Sequence, residues 1–62
     1  MLEVRAKLDG LGALVIEYFE AGDWRVLNRF KIPQPCYWEK YADKRAEDAK
    51  GKAPFNFHKV RS

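Results

Sequence analysis

Cys36 and His58 are the one cysteine and the one histidine of this chain, and they are its only candidates for a nucleophile and its base. Threonine is absent, and the single serine is the terminal Ser62. A cysteine nucleophile needs an imidazole oriented by a third group and donors for the developing oxyanion, and no stretch of the sequence supplies either. The expectation is therefore a cysteine packed beside a helix start and a surface histidine. One cysteine and one histidine also fall short of a four-ligand zinc set. Asp43 and Glu47 share one helical face with lysines, which is the pattern of a solvated surface. No phosphate loop or dinucleotide fingerprint occurs. The chain reads as non-enzymatic, with no cofactor and no metal.

Charge is the next chemistry to place. The net charge is +3, but it is unevenly spread. Residues 1–23 carry Arg5 and Lys7 against Glu3, Asp9, Glu17, Glu20 and Asp23, a net −3. Residues 24–38 carry Arg25, Arg29 and Lys31 with no acid, a net +3. Residues 39–49 come to −1, and Lys50, Lys52, Lys59 and Arg61 make the remainder +4. Clustered positive charge points to an anionic partner.

The elements that position these groups follow from periodicity. Leu2, Val4, Ala6 and Leu8 alternate with Glu3, Arg5 and Lys7, which predicts a strand over 2–8 with one buried face. Asp9-Gly10-Leu11-Gly12 predicts a hairpin turn, with Gly10 and Gly12 free to adopt positive φ. Residues 13–19 are apolar on both sides, as a central strand is. Glu20-Ala21-Gly22-Asp23 then turns the chain into a strand over 24–32. Strict alternation puts Trp24, Val26, Phe30 and Ile32 on its core face, with Asn28 as a polar exception, and Arg25, Leu27, Arg29 and Lys31 on the other. Pro33-Gln34-Pro35 ends the strand. Trp38, Tyr41, Ala42, Arg45, Ala46 and Ala49 recur at helical spacing, predicting a helix over about 36–50. Lys44 with Asp48 and Glu47 with Lys50 are in position for local ion pairs, and Gly51 for the stop. Beyond Pro54, residues 55–61 alternate aromatic and polar side chains. A short fourth strand is expected there, the alternative being an extended tail held by Phe55 and Phe57.

The expected fold is thus α+β: a small three-stranded antiparallel meander, a fourth short C-terminal strand, and one helix packed on one face, in the order β-β-β-α(-β). Sixty-two residues make one domain of marginal stability, so the nine aromatic residues must supply much of its core and self-association as a homodimer would help. The longest aliphatic run, Ala13 to Ile16, is far short of the ~20 residues that span a bilayer, and no signal peptide is visible. A lone cysteine suits a reducing compartment, so no membrane contact and a cytoplasmic location are expected.

Function then rests on the outward sheet face. Arg5, Lys7, Arg25, Arg29 and Lys31 would supply cations around the apolar Phe19 and Leu27, which suits nucleic acid or a nucleic-acid-binding protein complex. Tyr37, Phe57, His58, Lys59 and Arg61 form a secondary contact set. The alternative is a small inhibitor or adaptor, of the kind encoded by phages and mobile elements, that blocks a host protein complex by protein–protein contact. Helix packing discriminates: if it covers Val15, Phe19 and Leu27, the basic face is lost.

Overall fold

The alternation over residues 2–8 builds β1 (Leu2–Leu8), which pairs antiparallel with β2 (Ala13–Glu20) in the register Val4↔Tyr18, Ala6↔Ile16 and Leu8↔Leu14. The computed structural model describes residues 2–49 and 55–60. Asp9 organises the first hairpin. Its carboxylate accepts the amides of Leu11 at 2.8 Å and Ala13 at 2.9 Å, while Gly12 N–H donates to the Asp9 carbonyl at 3.1 Å. Gly12 alone of the two loop glycines takes positive φ, +80°, and a Cβ there would meet Pro35 Cγ at 3.3 Å.

The second hairpin is tighter. Glu20 pairs with Asp23, leaving a two-residue loop in which Ala21 and Gly22 have φ of 53° and 80°. Two positive φ values define the I′ geometry that matches strand twist, and asparagine tolerates the first of them better than alanine does. Ala21→Asn is expected to raise stability by about 0.5–1 kcal/mol, read as a thermal midpoint a few degrees higher.

β3 (Asp23–Lys31) departs from strict alternation. Ile16 pairs with Asn28 but Glu17 pairs with Val26, so Leu27 is the extra residue of a β-bulge. An inserted residue transfers everything beyond it to the opposite face. Phe30 stays on the core side, opposite Leu14. Trp24 and Val26, expected in the core, instead lie opposite Phe19 and Glu17 on the outer face, and Arg25, expected outside, lies opposite Tyr18 on the helix side.

A 3-10 turn at Pro35–Tyr37 leads into α1 (Trp38–Ala49). The helix carries the chain across to β4 (Phe55–Val60), which pairs parallel with β1, so the strand order is β3-β2-β1-β4. The fourth strand therefore exists and the sheet is mixed. Val4, Ala6, Leu14, Ile16, Ile32 and Ala42 form the buried core, with Trp38, Tyr41, Phe30, Phe55 and Phe57 packed on it. Phe57 is thus core-facing rather than a contact residue. Lys44 makes no ion pair with Asp48; Lys59 instead reaches Asp43 at 3.0 Å. Lys50, Gly51, Lys52, Pro54 and Arg61, assigned roles from the sequence, lie outside the described residues.

Candidate functional site

The helix lies over Val4, Ala6, Leu14 and Ile16, so it leaves uncovered the face that carries Val15, Glu17 and Phe19. On that face the cations are not free. Arg5 Nε donates to Glu17 Oε1 at 2.7 Å, and Lys7 Nζ sits 3.5 Å from the same oxygen. Glu17 is 6% exposed, an unusual burial for a carboxylate, and it is held there by its two partners. Burial pushes its pKa up, but the Arg5 guanidinium and the Lys7 ammonium outweigh this and bring it below the ordinary value. Arg29 pairs with Asp9, whose carboxyl the Ala13 amide and the guanidinium both hold low. Glu3 accepts Asn56 Nδ2 at 2.6 Å and faces His58 Nε2 at 3.1 Å, and these two side chains lower its pKa.

Trp24, brought here by the bulge, completes the face. Its ring meets Phe19 edge to face at 5.2 Å between centroids, and the Arg5 guanidinium stacks over it at 4.2 Å. Alternation alone had placed Trp24 inside. The only advance signal was polar Asn28 at an otherwise apolar position, a sign that strict alternation fails along this strand.

Alongside the half-exposed ion pairs, three large apolar side chains are exposed. Val26 and Leu27, 60% and 61% exposed, lie on β3, which has no outer neighbour among the described residues, and Phe19, 42% exposed, lies beside them on β2. Of the seven residues expected to form one basic surface, Arg5, Lys7, Phe19 and Arg29 share the outer face. Lys31 lies opposite Ala13 on that same face, at the end of β3 where it also borders a cleft, whereas Leu27 sits on the bulge and Arg25 pairs with Glu20 at 3.5 Å on the helix side.

Tyr37 is exposed with the Lys40 ammonium 5.0 Å above its ring, and Cys36, expected to be packed beside the helix start, is exposed in the same turn. His58 bonds to Glu3, so its imidazole faces a carboxylate on the sheet. Among the described residues no three His, Cys, Asp or Glu side chains cluster to hold a metal, and no helix is long and apolar enough to cross a membrane.

No protein-family model matches the chain, and neither a curated protein nor a solved structure is significantly similar to it.

Proposed function

We propose that this is a non-enzymatic adaptor or inhibitor that binds another protein through β3, by adding an extended segment of that protein to the sheet. The observation that carries the reading is the exposure of Val26 and Leu27 on an unpaired edge strand, while the neighbouring cations are neutralised by Glu17, Asp9 and Glu20. An open edge offers backbone hydrogen bonds, and exposed apolar side chains beside it supply affinity. The contact expected of a basic sheet face with nucleic acid is correspondingly weakened, because paired cations release few counterions.

Charge selects the partner. With Arg25 paired to Glu20 and Arg29 to Asp9, Lys31 is the one cation of β3 without a carboxylate partner among the described residues. A segment that alternates apolar and acidic residues complements this edge. Leu27→Lys is expected to weaken partner binding by about ten-fold or more, roughly 1.4 kcal/mol, with an unchanged thermal midpoint. Hydrogen exchange should show the β3 amides protected on binding. Retention of a nuclease-resistant partner by the variant, or protection of β3 by self-association alone, would overturn the assignment.

A further inference from the structure

The described cations fall into two groups. Arg5, Lys7, Arg25, Arg29 and Lys59 are each ion-paired to a carboxylate. Lys31, Lys40, Lys44 and Arg45 have no ion-pair partner among the described residues, and all four line two adjoining clefts, one between the end of β3 and α1 and one between the turn at Gln34–Tyr37 and α1. The clefts enclose about 380 and 330 Å³ and share Tyr41 and Lys44. Asp48 is the one acid in their walls, so the lining carries a net +3.

Aromatic rings hold two of these cations in place without neutralising them. The Arg45 guanidinium lies 4.3 Å from the Phe30 ring, and the Lys40 ammonium 5.0 Å from Tyr37. A ring face attracts a cation through its quadrupole and leaves the full charge available to a ligand. Helical spacing explains the convergence: Lys40, Tyr41 and Lys44 lie three, four and seven residues beyond Tyr37, so they project from one side. The result is a groove with unneutralised cations set among aromatic rings, one of them, Tyr37, 48% exposed.

We propose that this groove binds single-stranded nucleic acid, with Lys31, Lys40, Lys44 and Arg45 on the phosphates and the exposed tyrosine ring stacking a base. Cations along a channel with sequence-tolerant aromatic platforms are how single strands are held, whereas a duplex keeps its bases out of reach of such rings. This site is separate from the β3 apolar edge and does not depend on it.

The test is fluorescence anisotropy of the full chain with a labelled oligothymidylate of roughly 15 nucleotides. Four phosphate contacts predict a slope of log K against log salt of about −2.8, a loss of about fifty-fold between roughly 50 and 200 mM salt. The Lys44→Ala/Arg45→Ala double variant should halve the slope to about −1.4, reducing that loss to about seven-fold. Tyr37→Ala should weaken binding by about five-fold or more at constant salt, and Lys59→Ala should change neither quantity. Circular dichroism establishes that each variant is folded. Absence of binding at low salt, an unchanged slope in the folded double variant, or no effect of Tyr37→Ala would overturn the proposal. So would displacement by inorganic polyphosphate as effective, per phosphate, as by the oligonucleotide, since that requires no base contact.

Discussion

Leu14→Ala is expected to unfold most of the protein at 37 °C. Leu14 is the largest side chain that is fully removed from solvent among the described residues, near the start of β2 between Leu8 and Phe30. Truncating a leucine in such a position costs about 2.7–5.0 kcal/mol, the spread reflecting how far the surroundings collapse into the cavity. A chain of 62 residues commands roughly 3–9 kcal/mol in total at ordinary per-residue stabilities. The loss is therefore comparable to the whole. Relaxation is also restricted, because Leu14 is flanked on its own face by Phe30 and Leu8 rather than by loops. Leu27→Ala, the same chemical change at a residue 61% exposed, should shift stability by no more than about 0.5 kcal/mol. Urea denaturation of the two variants beside the parent chain measures the contrast. A Leu14→Ala midpoint close to the parent's would show that the core lies elsewhere.

The second large effect is at Glu17. Replacing it by glutamine keeps the shape but removes the charge that holds Arg5 at 2.7 Å and Lys7 at 3.5 Å over a buried position. The expected cost is about 2 kcal/mol near neutral pH, from hydrogen bonds to a charged group that is largely shielded from water. Its dependence on pH has a definite direction. The carboxyl of Glu17 titrates below its ordinary value of 4.5 in the folded chain, so the stabilisation is fully present above that value and is lost as pH falls through the folded pKa. Glu17→Gln has no such group to protonate. The stability difference between the two proteins should thus be constant at neutral pH and shrink on acidification below about pH 4.5. Glu3 and Asp9 titrate in the same window but are common to both, so they cancel from the difference. Chemical denaturation from pH 7 to pH 3 is the measurement. A difference that is independent of pH would show that Glu17 acts by packing alone.

The Arg5–Glu17–Lys7 cluster also explains why the basic sheet face changes character on folding. Cross-strand pairing sets Arg5 directly opposite Glu17, so the acids of residues 1–23 neutralise the cations that linear charge counting had left exposed. The same holds for Arg29 and Asp9, which are 20 positions apart in sequence. Unneutralised charge ends up instead on the helix side that abuts the end of β3, where Asp48 is the one acid in the cleft wall and Asp43 is taken up by Lys59.

With residues 55–61 open between a fourth strand and a tail, the order β-β-β-α, the first hairpin and the core face of β1 were legible in the sequence. Each depends only on local periodicity or turn chemistry, and Leu2–Leu8 and Asp9–Gly12 carry those signals in full. The helix was legible for the same reason, but the sheet face it covers was left open. Beyond that face, tertiary structure decided three things. The bulge at Leu27 is a register event between two strands, and single-strand alternation therefore placed Trp24, Val26 and Arg25 on the wrong sides. The parallel pairing of β4 with β1 depends on where α1 delivers the chain, which no local pattern encodes. Finally, which cations stay unpaired depends on cross-strand and helix–strand proximity, so the groove of Lys31, Lys40, Lys44 and Arg45 appeared only once the chain was folded.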